Sequence, residues 1–167
     1  MGSYNTSNPN GPNKSFVDKT LVANAASGTV NLWQVAKGVK VFQLGAVLLD
    51  DTTLTNMTDC GFALYDSTAT VAITKLTTLT LSTAVVGAFI AKVAGAATNA
   101  GFASAAVGGI VEAGSNPLVD YSFAVAQKNG AATFIRFNYT TTDAPINCTW
   151  RFFVEYEGID GGSLTVV

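Results

Sequence analysis

The feature that most limits how this chain can fold is a strict two-residue alternation of apolar and polar side chains near its C-terminus. From residue 147 to residue 157, one set of alternate positions is apolar and the other set is polar, apart from Phe153. The apolar set is Cys148, Trp150, Phe152, Val154 and Tyr156. Because successive side chains of a β-strand point to opposite faces, this pattern predicts a strand with one face buried.

The same alternation recurs over residues 118–128 and 131–141, which predicts two more antiparallel strands. Between them stands Asn129-Gly130, a pair that favours a type I′ hairpin turn. Further stretches rich in β-branched residues are predicted strands, with Gly28 and Gly38 among the separators. These stretches are residues 16–24, 29–35, 40–50, 61–66, 69–75 and 77–83, with 163–167 as a short last strand.

Two segments depart from the alternation. Residues 42–49 are apolar at both sets of alternate positions, which indicates a strand covered on both sides or lying against a partner. From residue 84 to residue 97, Val85, Phe89 and Val93 recur at helical spacing. This spacing predicts one short helix, capped by Ser82 or Thr83 and followed by a Gly-rich loop.

Many short strands with frequent turn signals predict an all-β fold, an antiparallel β-sandwich or jelly-roll-like domain with at most one short helix. We expect this domain to span residues 15–167. Residues 1–14 are polar and contain two prolines, so they bury too little apolar surface to order themselves. They are predicted to form an extended N-terminal arm held by a neighbouring subunit. Its expected contact residues are Tyr4, Asn8, Pro9 and Pro12.

The composition predicts that much of the surface meets other protein. Hydrophobic residues make up 49% of the chain and charged residues only 12%, whereas a typical domain is about 25% charged. The net charge is -2 and the basic residues are scattered singly, so we expect no nucleic-acid partner. No uninterrupted apolar run is long enough for a transmembrane helix. The N-terminus also lacks signal-peptide features, so we expect neither membrane contact nor secretion.

The absence of histidine from the sequence removes the Ser-His-Asp and Cys-His catalytic arrangements within this chain. We therefore expect a non-enzymatic protein without a cofactor, although a glycosidase, which needs only two carboxylates, stays open. Asp50, Asp51 and Asp59 form the densest acidic region. It fits either a calcium site or a strand-ending turn, and we favour the turn because Asp is common there.

Cys60 and Cys148 lie far apart in sequence, and each is in phase with apolar neighbours. Both are predicted to be small buried side chains that do not form a disulfide. Trp33 and the tyrosines fit either a sugar-binding aromatic platform or the core, and we favour the core because Trp33 lies within an apolar strand pattern.

Three stretches resemble small auxiliary head proteins of tailed bacteriophages. They are GTVNLWQVAKGVKV at residues 28–41, GFALYD at 61–66, and GAAT at 130–133 leading to RFFVEY at 151–156. The turn of that family usually has Pro where Ala36 stands here. The resemblance implies a β-sandwich that clamps capsid subunits together, commonly as a trimer, without catalytic residues.

The leading hypothesis is a non-catalytic virion structural protein, a decoration or cement protein on the capsid surface that is made in the host cytoplasm. Its expected partners are the major capsid protein and copies of itself in a homotrimer, reached through the arm and a low-charge, Thr-rich face. The alternatives are a receptor- or carbohydrate-binding module such as a tail-fibre tip or adhesin, a glycosidase, and a major capsid jelly roll.

Overall fold

The structure is a computed structural model that describes residues 2–6, 11–23, 26–53, 57–74, 81, 84–92, 102–105, 122–141 and 146–167. These residues form ten strands of one antiparallel sheet, which confirms the predicted all-β antiparallel class. The strands are β1 (Ser3–Thr6), β2 (Asn13–Ala23), β3 (Ala26–Thr53), β4 (Met57–Tyr65), β5 (Thr70–Ala72), β6 (Phe89–Lys92), β7 (Phe102–Ala105), β8 (Phe123–Ala126), β9 (Thr133–Thr141) and β10 (Ile146–Val166).

The sheet is organised around two long strands, β3 and β10, which pair over most of their lengths. The strand order is β1-β2-β10-β3-β9-β4-β5, and β6 and β8 also pair with β3, while β7 pairs with β6. One edge of β3 therefore meets β10, and its other edge meets β9, β8 and β6 in succession.

The two long strands change direction together at one place, which we call the corner. Ile159 pairs with Gly38 and Ser163 pairs with Ala36, so three residues of β10 lie opposite the single residue Lys37 of β3. Such an excess of residues in one strand bends the strand and increases its local twist. Lys37 itself has a φ of 59°, in the left-handed region that non-glycine residues rarely adopt.

Hydrogen bonds hold the backbone of the corner in this conformation. The Lys37 ammonium donates to the carbonyl oxygen of Asp160 at 3.0 Å. The Lys37 amide donates to the side-chain oxygen of Gln127 at 3.2 Å, and the Gln127 amide donates to the Lys37 carbonyl at 2.5 Å. Lys37 therefore ties β3 both to β10 and to the segment that follows β8.

Glycines let the backbones approach each other at the corner. A Cβ placed on Gly162 would lie 1.7 Å from the carbonyl oxygen of Gly38, and one on Gly158 would lie 2.2 Å from the carbonyl oxygen of Gly162. No side chain fits at these two positions without moving backbone, so Gly158 and Gly162 are required for the close approach.

The corner folds the sheet over so that two layers face each other in a sandwich-like arrangement. The front layer contains β1, β2, β6, β7 and β8 with residues 38–53 of β3 and 146–159 of β10. The back layer contains β4, β5 and β9 with residues 26–35 of β3 and 163–166 of β10. Phe152 of the front layer meets Phe137 and Phe62 of the back layer at ring-centroid distances of 5.1 and 6.2 Å.

A buried hydrogen bond also joins the layers. The indole N–H of Trp33, in the back layer, donates to the hydroxyl oxygen of Ser15 in β2 at 2.9 Å. Trp33 is fully buried and Ser15 nearly so. Beside them, the Lys19 ammonium donates to the carbonyl oxygen of Val167. The inner face of β2 is therefore fastened to the back layer by polar contacts as well as by apolar packing.

The doubly apolar stretch predicted over residues 42–49 is explained by a change of register. Glu155 pairs with Gln43 and Tyr156 pairs with Val41, so Phe42 is an extra residue in β3. Because one extra residue exchanges the two faces of a strand, Val41 and Leu44 are both buried. The stretch thus contributes mainly to this chain's own core.

The helix predicted from residue 84 is wrong over the described residues 84–92. Residues 84–88 form a turn in which Gly87 has a φ of +88°, a conformation that interrupts a right-handed helix. Phe89 then pairs with Val47, so the backbone hydrogen bonds go to β3 and not to a helix. The rest of the predicted helix and its caps Ser82 and Thr83 lie outside the described residues.

The predicted hairpin between residues 118–128 and 131–141 is also wrong in its pairing. Lys128 and Ala131 close a turn in which Gly130 has a φ of +75°, while Asn129 lacks the positive φ that a type I′ turn needs. β8 and β9 each pair with β3, on opposite sides of the corner. Gly38 likewise does not separate two strands, because β3 is continuous through it.

Ser15→Ala should destabilise the fold by about 1–3 kcal/mol, because it leaves the buried Trp33 N–H without its acceptor. Urea unfolding followed by tryptophan fluorescence measures the change. The control is Thr20→Ala, which removes an exposed hydroxyl that bonds Thr149 and should cost less than about 0.5 kcal/mol. Equal losses in the two variants would contradict the importance of the buried bond.

Gly162→Ala should destabilise the fold by more than about 3 kcal/mol, because the added methyl collides with backbone at the corner. The matched control is Gly87→Ala, which has open space around it and meets only the conformational cost of a positive φ, about 1 kcal/mol. Thermal unfolding of both variants separates the two effects. A Gly162 variant no weaker than the Gly87 variant would disprove the close packing.

Candidate interaction surface

Partly buried aromatic side chains lie on the outward side of the front layer. Phe153 pairs with Phe16 in the neighbouring strand, and its ring stacks on Phe89 with centroids 5.6 Å apart and planes 16° apart. Gly45 lies beneath the Phe153 ring, since a Cβ there would be 2.6 Å from the Phe153 Cζ atom. We call the surface formed by Phe16, Asp18, Phe89, Arg151 and Phe153 the front face.

An ion pair lies beside these rings. The Arg151 Nε and Nη2 atoms donate to the two carboxylate oxygens of Asp18 at 2.7 and 2.8 Å. The guanidinium group also lies over the Phe16 ring, 4.8 Å from its centroid. The hydrogen bond from Arg151 lowers the pKa of Asp18, and the same bond raises the pKa of Arg151. Both groups are therefore held in their charged forms.

Two further opposite-charge pairs lie across the strands on the outer side of the front layer, whereas the exposed Asp50 lies opposite Thr149. Glu155 lies opposite Lys14 in β2, and Glu157 lies opposite Lys40 in β3. Together with the Asp18–Arg151 pair, these positions give a surface with little net charge. A surface of this kind is less costly to cover with protein than one carrying charges of a single sign.

The front layer also carries exposed aliphatic side chains, which we include in the front face as its exposed end. Their positions are Val22 in β2, Leu49 at an irregular point of β3, and Val85 and Val86 in the turn before β6. The turn is held next to β3 because the Gly87 amide donates to the Leu48 carbonyl at 2.9 Å. Val22 lies on the same side of β2 as Phe16, because the two residues are an even number of positions apart.

The predicted arm contacts are placed only in part. Tyr4 lies in β1, which pairs with residues 14–17 of β2 in the same chain. Pro12 is partly buried just before β2, whereas Asn8 and Pro9 lie outside the described residues. Residues 13 and 14, assigned to the arm from sequence, are the first residues of β2. The start of the chain thus adds an edge strand to the front layer.

Trp33 is fully buried and Tyr139 and Tyr156 nearly so, which confirms that Trp33 belongs to the core and not to an aromatic platform. On the outward side of the back layer, the Tyr65 ring is covered by the Arg136 guanidinium at 4.2 Å from its centroid. Arg136 also donates to the Thr70 hydroxyl at 2.5 Å. Phe134, which lies opposite Tyr65 in β9, is a second partly exposed aromatic residue on this side.

The acidic region at Asp50 and Asp51 is not the strand-ending turn we favoured, because β3 continues to Thr53. Among the described residues, no group of three or more Cys, Asp or Glu side chains is arranged to hold a metal ion. An acidic turn does occur at Asp66, whose carboxylate accepts hydrogen bonds from Thr68, Ala69 and Lys128. These bonds, that from Lys128 first, hold the pKa of Asp66 well below its ordinary value.

Sequence reasoning did not identify the front face, although one signal of it was visible. Phe153 interrupts the polar side of an otherwise regular alternation, and an aromatic residue at an outward position needs something to pack against. Phe16 and Phe89 supply that contact from distant parts of the chain, and Gly45 provides the space. Only the strand register brings these residues together.

In the comparison with known proteins, no family model, no curated protein and no solved structure matches this chain. In the part of the chain that the structure describes, no helix is long and apolar enough to cross a membrane.

Asp18→Asn should destabilise the fold by about 1–2 kcal/mol at pH 7, since it weakens the bonds to a partly exposed Arg151. The folded-state pKa of Asp18 is lowered from its ordinary value of 3.8, so the stabilisation is complete above that value. It is lost as the pH falls through the lower folded-state pKa. Urea unfolding of both proteins between about pH 7 and pH 2 should show the difference shrinking with acid. A difference that stays constant with pH would contradict this assignment.

Proposed function

We propose that this chain is a non-catalytic virion structural protein that binds the capsid shell of a tailed bacteriophage and stabilises it as a decoration or cement protein. The observation that supports this most is the front face, where stacked aromatic rings lie among charges already paired within the chain. Its role is mechanical, because interface area buried between neighbouring capsid subunits opposes their separation.

The composition of the front face suits contact with protein. Interface cores are enriched in aromatic residues and Arg and depleted of unpaired charge. Phe16, Phe89 and Phe153 provide the aromatic area, and Arg151 is neutralised by Asp18 before any partner arrives. A partner that covers this pair does not need to supply a counter-charge, which reduces the cost of removing water from it.

The exposed end of the front face provides the remaining apolar contact. Val22 is 64% exposed and Leu49 is 37% exposed. Thr20 and Thr149 lie near them on the same side and bond each other through their hydroxyls at 3.0 Å. These hydroxyls add uncharged polar surface beside the apolar side chains. The partners we propose are the major capsid protein and further copies of this chain, in a homotrimer on the outside of the virion.

The carbohydrate-binding alternative has one observation in its favour, the stacking of Arg136 on Tyr65 on the back layer. Sugar-binding surfaces present an open aromatic ring, however, and here the guanidinium occupies one side of it. Binding of the isolated chain to a glycan array, abolished by Tyr65→Ala, would favour this alternative over a capsid role.

Val22→Lys should reduce binding to capsids at least tenfold, because it places a charge in the apolar part of the front face. The matched control is Val71→Lys, which changes an equally exposed valine, 62% exposed, at the β5 edge of the back layer. Binding is measured by co-sedimentation with particles of the virus that carries the gene, after removal of this protein. Light scattering of the same samples reports whether the chain is a trimer.

Comparing the two variants with the wild-type chain distinguishes the capsid role from the role of the front face. Loss of sedimentation in Val22→Lys alone supports both the capsid role and the front face. Equal behaviour of the two variants excludes the front face as the contact surface. A wild-type chain that does not sediment with the particles contradicts the capsid role itself.

A further inference from the structure

The turn between β8 and β9 has an asparagine and a glycine at its two central positions. The turn is closed at its ends, because the Ala131 amide donates to the carbonyl oxygen of Lys128 at 3.1 Å. Between these ends, Asn129 and Gly130 are both exposed. Neither of them hydrogen bonds to any other residue in the part of the chain that the structure describes. The Asn129 side chain and the Gly130 amide are therefore available for reaction with each other.

The chemistry of this pair follows from its connectivity. The backbone nitrogen of Gly130 is placed so that its attack on the side-chain carbonyl carbon of Asn129 closes a five-membered ring. Gly130 has no Cβ to hinder the approach of the two atoms. Its surroundings are open as well, since a Cβ at this position would meet no other heavy atom within 4 Å. Neither the side chain of residue 130 nor a neighbouring segment opposes ring closure.

We propose that Asn129 is a site of spontaneous modification, at which water converts the asparagine of the folded chain into aspartate and isoaspartate. The Gly130 nitrogen gives its proton to hydroxide and attacks the Asn129 side-chain carbonyl carbon. A C–N bond forms there, the bond from that carbon to the side-chain nitrogen breaks, and the nitrogen takes up a proton and leaves as ammonia. The product is a cyclic imide. This inference does not depend on the capsid role.

One water molecule then opens the imide at either of its two carbonyl carbons. Attack at the side-chain carbon restores the ordinary backbone and leaves aspartate at position 129. Attack at the backbone carbon leaves isoaspartate, in which the main chain runs through the former side chain. In both cases one ammonia is released and one water is consumed in total, and no atom is oxidised or reduced.

Two other exposed asparagines show why this position differs. Asn31 lies in β3 and pairs with Arg136, and Asn147 lies in β10 and pairs with Val22. Each is followed by a residue with a side chain, and each is held in an extended strand. Ring closure at either position needs rotation of a backbone that the sheet restrains, so both should react more slowly than Asn129.

The turn that the modification changes is bonded to the corner. Gln127, which exchanges hydrogen bonds with Lys37, also donates from its side chain to the Ala131 carbonyl oxygen at 3.3 Å. The Lys128 amide donates to the Thr133 hydroxyl oxygen at 3.0 Å. Isoaspartate lengthens the main chain between Lys128 and Ala131 by one atom and so disturbs these bonds. Aspartate leaves the backbone unchanged and adds only a negative charge.

The test is incubation of the full-length, folded chain at mildly alkaline pH, followed by a peptide map that separates asparagine, aspartate and isoaspartate at each position. Position 129 should be modified at least about tenfold faster than positions 31 and 147, and both products should form there. The same map reports separately on Asn10, which also precedes a glycine and lies outside the described residues.

Two variants test the route. Gly130→Ala should slow the reaction at position 129 by about tenfold or more, because the added Cβ hinders ring closure. The open space around Gly130 admits this methyl group, so the variant should stay folded. Asn129→Gln should abolish the reaction, since its longer side chain would have to close a larger ring. The isolated isoaspartate form should melt about 2–4 °C below the Asn129→Asp variant, which has the ordinary backbone.

Four results would overturn the proposal. Modification at position 129 that is fast in urea but no faster than at positions 31 and 147 in the folded chain would show that the turn protects Asn129. Aspartate without isoaspartate would show direct hydrolysis without a ring. An unchanged rate in Gly130→Ala would exclude attack by the Gly130 nitrogen. An isoaspartate form as stable as the Asn129→Asp variant would show that the longer backbone does not disturb the turn.

Discussion

The structure depends on the shared corner of β3 and β10. One face of this sheet is buried because the sheet folds over and packs against itself. Folding a sheet over normally interrupts the hydrogen bonds between its strands. Here, three residues of β10 oppose Lys37, and the ladder resumes on both sides of them. Gly158 and Gly162 admit the close approach of the backbones, and Gln127 completes the hydrogen bonding. The two halves of the sheet thereby face each other and bury their aromatic rings.

The corner also explains why the front face has its composition. The inward side chains of the front layer pack against the back layer. The aromatic residues Phe16, Phe89 and Phe153 lie on the opposite side of the front layer. Phe89 and Phe153 stack on each other, and Arg151, whose charge Asp18 neutralises, lies over the Phe16 ring. Only 12% of the residues are charged, and several of the charged side chains on the outer side of the front layer lie opposite a side chain of the other sign. The result is a surface suited to contact with another protein.

Much of the burial was predictable from the sequence, and the pairing was not. The alternation in β9 and β10 correctly indicated which side chains face the core, because the two-residue period is a local property of a strand. The helical spacing near Val85 was misleading, since pairing with β3 overrode it. Asn129-Gly130 did form a turn, but the turn directs β9 to the other side of the corner. Within the front face, only Phe153 was noticeable in advance, because its neighbours come from distant segments.

The sequence by itself determined the all-β class, the inward side of the main strands and the burial of both tryptophans and both cysteines. These properties follow from the two-residue period of a strand and from the hydrophobicity of its side chains. Both are local properties of the sequence, so they can be recognised without knowing which strands pair. Only the tertiary structure decided that β3 runs unbroken through Gly38, that β8 and β9 share its edge, and that Phe16, Phe89 and Phe153 meet. These outcomes depend on bulges, which change the register between two paired strands. The register is fixed by pairing between segments that are far apart in sequence, so it cannot be read from either segment alone.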